Sequence, residues 1–287
     1  MKSIKLKAYG KINLGLDVLG KRDDGYHDLD MIMQSVDLHD VITITKNDSG
    51  EITVKSSTSK IPNDKSNLAY RAAKLLMEEF GIKKGVEIEI EKSIPISGGM
   101  AGGSADCAAV LKGMNKLFKL KLTEQQLMAR GVRLGADVPF CIMGKTARAK
   151  GIGEVLTPIK NKIKGYIVLA KPPISVSTGF VYGRIDKVKV KNKPDTEAMI
   201  KALEDNDLEM LACNICNVLE EVTIPDYPVV QEIKVMMKKD GALNAMMTGS
   251  GPTVFGLFDS KEKAITAIGH LTDSGILEQL FLAKFVN

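Results

Sequence analysis

Residues 95–107 form a glycine-rich stretch, PISGGMAGGSADC, that could hold a phosphate group. The segment before it, Val86 to Ile90, alternates apolar residues as a strand does, and the segment after it repeats them at helical spacing (Cys107, Val110, Leu111, Met114 and Leu117). A glycine loop that runs into a helix presents unpaired backbone N–H groups and the positive end of the helix dipole. The stretch therefore predicts a phosphate loop. A tight turn or a flexible connection is the alternative for an isolated glycine cluster.

Two well-known phosphate-loop patterns do not fit this stretch. A Walker A loop requires GxxxxGK[ST], but Gly103 is followed by Ser104 and Ala105 with no lysine. The dinucleotide pattern GxGxxG fails because Met100 stands where its second glycine would be. A loop that binds phosphate here belongs to a different class.

Lys11 and Asn13 form a second candidate group near the start of the chain. The segment KINLGLDVL alternates in polarity, which predicts a strand whose apolar face carries Ile12, Leu14, Leu16 and Val18. Lys11 and Asn13 then share the other face of the strand. They either contact a ligand or face solvent.

Asp137 and the pair Tyr26–His27 complete the candidates. Asp137 precedes Val138-Pro139, where a carboxylate either accepts a proton in a reaction or makes an Asx turn. Tyr26 and His27 follow a predicted turn at Asp24-Gly25. An aromatic face and an imidazole can bind a nucleobase, and the alternative for the two side chains is that they close a hairpin.

Five motifs in this chain resemble, in the same order, those of the GHMP kinases, which include galactokinase, homoserine kinase, mevalonate kinase and phosphomevalonate kinase. They are Gly10–Leu14, Arg22–His27, Pro95–Ser104, Leu134–Pro139 and Thr248–Thr253. Their combination is most similar to the branch that phosphorylates diphosphocytidyl-methylerythritol, and it covers nearly the whole chain. The alternatives are a GHMP kinase of another alcohol, of the homoserine or mevalonate type, and a ligand-binding protein of the same fold without catalysis.

The resemblance implies an α+β fold of two domains. An ATP-binding domain like ribosomal protein S5 would cover residues 1–155, and a ferredoxin-like domain on the substrate side would cover residues 156–287, with the active site in the cleft between them. The implied reaction transfers the γ-phosphate of ATP to the 2-hydroxyl of 4-diphosphocytidyl-2-C-methyl-D-erythritol, a step of the non-mevalonate route to isoprenoids.

The same resemblance assigns site residues. Asp137 would accept the hydroxyl proton, and Lys11 beside it would stabilise charge on the transferring group. The residues that would bind ATP are Pro95, Ile96, Ser97, Gly98, Gly99, Met100, Ala101, Gly102, Gly103, Ser104 and Ala105, with Asn67 and Lys92 beside the nucleotide. A helix cap is the alternative for Asn67, and a surface lysine is the alternative for Lys92.

The substrate pocket follows in the same way. Tyr26 would stack on the cytosine ring, His27 would hydrogen-bond its polar edge, and Tyr182 would face it from the other side. Asn13, Gly249 and Ser250 would help to seat the substrate, although a plain turn is the alternative for the loop Gly249–Pro252. ATP would arrive with Mg²⁺. In many relatives the positions of Gly102 and Gly103 are serines, one of which helps to bind Mg²⁺. This chain has only Ser104 nearby, so the sequence identifies no protein ligand for the ion.

Composition limits the other function classes. The 287 residues carry a net charge of +5, and 44% of them are apolar, without a run long enough to span a bilayer. The basic run Lys187–Lys193 lacks aromatic residues, which predicts a solvated surface segment. From these features we expect a cytoplasmic protein without nucleic-acid or membrane partners. The resemblance adds an enzyme of a small-molecule substrate with a cytidine diphosphate group, and we expect a monomer or weak homodimer.

Periodicity and cysteine content predict the remaining elements. The four cysteines should be reduced thiols, with Cys213 and Cys216 packed on one helix rather than holding a metal. The predicted helices are Asn67–Phe80, Thr178–Arg184, Thr196–Glu204 and Val229–Lys239. The predicted strands beyond the first two are Val41–Thr45, Glu51–Lys55, Gly165–Ala170 and Val254–Phe258.

Overall fold

The computed structural model describes residues 2–287 as an α+β protein. The helices are α1 (Leu68–Glu79), α2 (Gly102–Phe118), α3 (Glu124–Gly131), α4 (Val138–Met143), α5 (Thr178–Ile185), α6 (Thr196–Asp205), α7 (Leu208–Asn214), α8 (Glu220–Asp226), α9 (Val229–Lys239) and α10 (Lys261–Asp273). The strands are β1 (Ser3–Lys21), β2 (His27–Asn47), β3 (Ile52–Ser56), β4 (Gly85–Glu91), β5 (Thr146–Gly151), β6 (Val155–Pro158), β7 (Tyr166–Lys171), β8 (Cys216–Asn217), β9 (Asn244–Met247), β10 (Val254–Phe258) and β11 (Gln279–Ala283).

The chain forms two compact units, each built from several segments. The first contains the residues up to Gly10 together with Leu38–Ile96 and Ala101–Gly144. The second contains Lys11–Asp37, Ser97–Met100 and Lys145–Asn287. The predicted division into domains of residues 1–155 and 156–287 stays a prediction.

The first unit packs helices against a small sheet. The second half of β2 pairs antiparallel with β4, from Val41 opposite Glu91 to Asn47 opposite Gly85, and β3 pairs parallel with β4. Helix α2 packs against α1 and α4. The five residues predicted for the apolar face of α2 are all buried, so that prediction is confirmed. This packing fixes the direction of the helix that follows the glycine loop.

The second unit contains a four-stranded antiparallel sheet in the order β11-β7-β10-β9. Strand β10 is buried along its whole length, because α9 and α10 pack on the sheet. In the same unit the first half of β2 pairs with β5, and β8 pairs parallel with β1 where Gly15 lies opposite Cys216. This last pairing holds the chain that follows α7 against β1.

Strand β1 differs from the predicted half-exposed strand. The stretch from Gly10 to Asp17 is buried on both faces, and Lys11 is only 5% exposed. The solvent-facing alternative for Lys11 is therefore wrong. The strand predicted at Val41–Thr45 is likewise the end of a much longer strand, β2, whose Met31-Ile32-Met33 run, in the first half of the strand, is also buried on both faces. Alternation in the sequence thus predicted β1 as a strand correctly, but it did not indicate that the polar face of that strand is buried as well.

The interpretation of Cys213 and Cys216 as neighbours on one helix is wrong. Helix α7 ends at Asn214, the chain then becomes extended, and Cys216 lies in β8. The apolar residues continue at helical spacing because the extended segment is buried as well. All four cysteines are free thiols, as predicted. The basic run Lys187–Lys193 is a mostly exposed loop after α5, which confirms the surface assignment.

Two glycines inside helices should respond in opposite ways to a methyl group. A Cβ on Gly113 of α2 would lie 2.5 Å from Ile44 Cδ1 and 2.9 Å from Leu6 Cδ1, whereas a Cβ on Gly269 of α10 meets nothing within 4 Å. We expect Gly113→Ala to lower the free energy of unfolding by about 1–3 kcal/mol through overpacking. Gly269→Ala should raise it by about 0.5–1 kcal/mol through reduced chain entropy. Denaturant unfolding measures both, and equal signs for the two variants would contradict the packing described for α2.

Candidate active site

The glycine loop adopts a strained backbone that glycine alone does not explain. Of its four glycines only Gly99 has a left-handed φ, of 74°, while Ser97 and Ala101 have φ values of 53° and 57°. A non-glycine residue in this region costs about 1–2 kcal/mol. Strain of this kind persists where surrounding contacts over-determine the backbone, and it is concentrated at functional sites.

In the first unit, Asp40 of β2 binds the backbone that enters the loop. Its Oδ1 accepts hydrogen bonds from the N–H groups of Ser93, at 2.5 Å, and Ile94, at 2.8 Å. Its Oδ2 pairs with the Lys92 ammonium, which also lies 2.9 Å from Asp106 Oδ2. The Lys92 side chain is only 7% exposed, so the alternative of a surface lysine is wrong. Its predicted place beside the nucleotide stays a prediction.

Asp40, Lys92 and Asp106 form a buried cluster in which the pKa values of Lys92 and Asp106 are shifted. Burial raises the pKa of the Asp106 carboxyl to about 8, against the opposing attraction of the Lys92 ammonium and with a further contribution from the negative charge of Asp40. Burial by itself would lower the pKa of Lys92, but the two carboxyl groups outweigh it, so that pKa lies above its ordinary value. One of the two oxygens of Asp106, Oδ1, is buried without a hydrogen-bond partner.

Two further candidates lie in the first unit. Asn67 caps helix α1, because its side chain accepts a hydrogen bond from the Ala69 N–H at 2.8 Å. This confirms the capping alternative and leaves its nucleotide role a prediction. Asp137 immediately precedes α4, is half-buried, and accepts no capping bond from that helix. An Asx-type cap therefore does not account for Asp137. The neighbouring Gly135 lies close to helix α2, since a Cβ there would be 3.8 Å from Ser104 Oγ.

In the second unit, the strand motif, part of the glycine loop and the Thr248 loop come together. The Lys11 N–H donates to the Met100 carbonyl at 3.1 Å, and the Asn13 N–H donates to Thr248 Oγ1 at 3.0 Å. The Lys11 ammonium donates to Asn13 Oδ1 at 2.6 Å. Gly99 lies against the Thr248 carbonyl so closely that a Cβ would be 2.3 Å from that oxygen. Three motifs that are far apart in the sequence thus share one small region.

Asn217 holds the Gly249–Ser250 loop in place. Its side-chain amide donates to the carbonyls of Met247 and Gly249, both at 2.8 Å, while its Oδ1 accepts from the Leu219 N–H. Ser250 Oγ lies 2.9 Å from the hydroxyl of Thr178 at the start of α5. These buried polar contacts make the loop more than a plain turn.

His27 and Tyr182 lie together in the second unit. Their ring centroids are 5.5 Å apart, and His27 Nε2 lies 3.0 Å from Asp186 Oδ1. The His27 side chain is buried, whereas Tyr26 is 60% exposed on the adjacent turn. A buried imidazole with one nitrogen engaged by a carboxylate has a fixed orientation, while the exposed ring of Tyr26 is available for stacking.

Sequence reasoning missed the residues that position the site. Asp40, Asp106, Asp186 and Asn217 lie far along the chain from the groups they contact, and single aspartates or asparagines carry no periodic signal. Only Asp106 had a local clue, because it follows the glycine loop directly and stands on the buried face of the predicted helix. A charged residue at a core position indicates a buried partner.

No helix within residues 2–287 combines the length and apolar character needed to cross a membrane. Within the same range, no group of three or more histidine, cysteine, aspartate or glutamate side chains could hold a metal ion.

Gly99 and Gly103 should differ in their tolerance of alanine. Gly99→Ala places a Cβ against the Thr248 carbonyl in a left-handed backbone, so we expect the free energy of unfolding to fall by at least about 2 kcal/mol. Gly103 lies inside α2, and its nearest neighbour would be 3.7 Å from a new Cβ. Gly103→Ala should leave stability equal or up to about 1 kcal/mol higher. Thermal and denaturant unfolding measure both, and a tolerated Gly99→Ala would show that the loop geometry described here is wrong.

Comparison with known proteins identifies the family. Residues 67–145 match the family of GHMP kinases N terminal domains, and residues 199–276 match the GHMP kinases C terminal family. The 4-diphosphocytidyl-2-C-methyl-D-erythritol kinase of Caldicellulosiruptor bescii is 53% identical over 268 residues, which is 93% of this chain and 94% of that protein. The enzyme of the same name from Lachnospira eligens is 46% identical over 99% of both chains.

Solved structures agree with the sequence relatives. The crystal structure of 4-(cytidine 5'-diphospho)-2C-methyl-D-erythritol kinase superposes with a TM-score of 0.84 at 31% identity and covers 99% of this chain and 100% of its own. Homoserine kinase from Cytophaga hutchinsonii, at 18% identity, covers 99% of this chain and 95% of its own with a TM-score of 0.79, and therefore supports the fold alone. The chain belongs to the GHMP kinases and, among them, to the 4-diphosphocytidyl-2-C-methyl-D-erythritol kinase family.

Proposed function

We propose that the protein transfers the γ-phosphate of ATP to the 2-hydroxyl of 4-diphosphocytidyl-2-C-methyl-D-erythritol, in the non-mevalonate route to isoprenoids. The observation that carries the proposal is the convergence of Lys11, Asn13 and Thr248 on the glycine loop. The chain that shows it is 53% identical to a 4-diphosphocytidyl-2-C-methyl-D-erythritol kinase. We also propose that the protein is cytoplasmic and is a monomer or weak homodimer, as expected from the sequence.

Phosphoryl transfer requires mainly positioning and charge stabilisation. In the proposal the N–H groups of Pro95–Ala105 that lack backbone partners hold the phosphates of ATP, together with the start of α2. The bond between the substrate oxygen and the γ-phosphorus forms while the bond from that phosphorus to the ADP oxygen breaks. The hydroxyl proton goes to Asp137.

Asp137 and Lys11 have the properties that these roles need. The Asp137 carboxylate is half-buried and is not used to cap α4, so it remains able to accept a proton. A carboxylate can take such a proton late, as the oxygen bonds to phosphorus. The Lys11 ammonium is buried and oriented by Asn13, and a buried cation stabilises developing negative charge more strongly than an exposed one.

The cytidine end of the substrate is assigned to Tyr26, His27 and Tyr182. Aromatic faces stack on any base, so selection for cytosine falls to the oriented imidazole of His27. Mg²⁺ would enter on the nucleotide and neutralise phosphate charge there. Residues 2–287 contain no cluster of three acidic, histidine or cysteine groups for it, so the proposal assigns no protein ligand to the ion.

A coupled assay of ADP formation tests the function. ATP consumption should depend on added 4-diphosphocytidyl-2-C-methyl-D-erythritol and should stay at background with homoserine or mevalonate. Phosphorylation of either of those alcohols at a comparable kcat/KM would replace the proposed substrate. ATP binding without turnover on the whole panel would indicate a ligand-binding protein instead.

Replacement of Asp137 by alanine should separate chemistry from binding. Without the proton acceptor we expect kcat to fall by about 10²–10⁴-fold, while the Kd for ATP stays within about threefold of the unchanged protein. Single-turnover kinetics and calorimetric titration measure the two quantities. Asp48→Ala, at an aspartate whose side chain is 88% exposed, serves as the control and should keep full activity. Near-normal turnover of Asp137→Ala would remove this residue from the mechanism.

Replacement of His27 by alanine should act on one substrate only. Loss of the oriented imidazole should raise KM for the cytidine substrate by about tenfold or more, equivalent to about 1.4 kcal/mol, and should leave KM for ATP nearly unchanged. The exposed His270 provides the control variant His270→Ala. Equal increases of KM for both substrates would place His27 outside the cytosine pocket.

A further inference from the structure

The buried cluster Asp40, Lys92 and Asp106 contacts both ends of the glycine loop. On the entering side, Asp40 binds the N–H groups of Ser93 and Ile94, immediately before Pro95. On the leaving side, Asp106 stands on the second turn of α2 and is joined to the entering side by Lys92. The Lys92 ammonium thus links two chain segments between which the loop must close.

The packing around Gly102 brings the cluster against the loop itself. A Cβ at Gly102, the first residue of α2, would lie 3.3 Å from Lys92 Nζ and 3.3 Å from Ile94 Cγ2. Lys92 therefore lies directly against the helix terminus that follows the loop. A change in its position or in the charge around it acts on the backbone groups assigned to phosphate.

The charge balance of the cluster depends on one proton. With Lys92 positive and Asp40 negative, the cluster is neutral only if Asp106 is protonated. Ionised Asp106 would leave one uncompensated negative charge in a buried place, and its Oδ1 has no hydrogen-bond partner there to stabilise it. Burial and the nearby Asp40 raise the pKa of Asp106 to about 8, which agrees with this count.

We propose that the cluster Asp40, Lys92 and Asp106 positions the glycine loop for a nucleotide's phosphates, and that the loop accepts them only while Asp106 holds a proton. This rests on the proposed role of the loop in ATP binding. Asp40 and Lys92 hold the loop ends in register. The proton on Asp106 keeps the cluster neutral, so that no buried negative charge opposes the anionic ligand.

Within the described residues, two charged groups act directly on the Asp106 carboxyl. Lys92, after β4, and Asp40, on β2, are the charged partners of Asp106. Arg71 on α1 acts on the neighbouring Cys107, whose pKa burial raises to about 12. Lys112, further along α2, directs its ammonium to the Cys141 carbonyl of α4. Titration of Asp106 therefore reports the state of this cluster.

Calorimetric titration with MgADP at several pH values tests the proposal without turnover. If only the protonated form binds, the apparent Kd increases as the protonated fraction falls, by about tenfold between pH 7 and pH 9. The terminal phosphate of the ligand is already ionised over this range, since its second pKa is about 6. Asp106→Asn keeps the shape but cannot ionise, so its Kd should be nearly independent of pH.

The control variant is Asp48→Asn, at an exposed aspartate of the same unit, which should keep the pH dependence of the unchanged protein. Asp40→Asn weakens the hydrogen bonds from the N–H groups of Ser93 and Ile94, so the Kd of this variant for MgADP should be higher at every pH. A Kd of the unchanged protein that varies less than about twofold over this range, or an equal increase in Asp106→Asn, would overturn the proposal.

Measurements on the unchanged protein decide the matter if Asp106→Asn does not fold. Near pH 8.5, MgADP binding must then take up protons, so the binding enthalpy must vary with the ionisation enthalpy of the buffer. No proton uptake would contradict the proposal. The two proposals can fail independently. Absence of turnover on the cytidine substrate would contradict the proposed function, whereas the pH profile of MgADP binding does not depend on turnover and tests only the role of Asp106.

Discussion

The hydrogen bond from the Lys11 N–H to the Met100 carbonyl is the contact on which the arrangement in the second unit depends. It joins the glycine loop to β1, in the stretch of that strand that is buried on both faces. Two residues further along β1, the Asn13 N–H donates to Thr248, which lies against Gly99. A strand with no face in water is a rigid support. Loop, lysine and the Thr248 turn are thereby held by one element instead of by three independent ones.

Several buried charges in this protein are compensated by a partner of opposite charge. Lys92 lies between Asp40 and Asp106, Lys171 pairs with Glu278, and Lys234 pairs with Glu220, which also accepts the Met247 N–H. Such pairs contribute little net stability, because desolvation offsets most of the attraction. They do fix which backbone groups lie next to which charge. In the loop cluster this arrangement leaves one carboxyl without a counter-ion, and the protonation of that carboxyl becomes part of the loop's chemistry.

The sequence predicted the local elements well and the long-range contacts poorly. Helices α1 and α9 and strands β4 and β10 have nearly their predicted bounds, because caps, glycines and periodic apolar residues mark them locally. The same periodicity failed at Cys216, where an extended segment is as buried as the helix before it. Motif spacing pointed to the loop, Lys11, Asp137 and His27 as candidates, and their roles stay predictions. It gave no sign that Asp186 orients His27 or that Asn217 holds the Gly249 loop, since these contacts depend on tertiary packing.

The interleaving of the two compact units constrains the order in which they can form during synthesis. The second unit includes Lys11–Asp37, which leave the ribosome early, together with Lys145–Asn287, which leave it last. Strands β1 and β2 of the early segment can pair with each other, but their later partners, β8 and β5, emerge only after residue 145. The first unit has all its residues by Gly144 and can fold in the meantime. The edge of β1 that pairs with β8, at Gly15 and Leu16, therefore stays without its partner strand for much of translation.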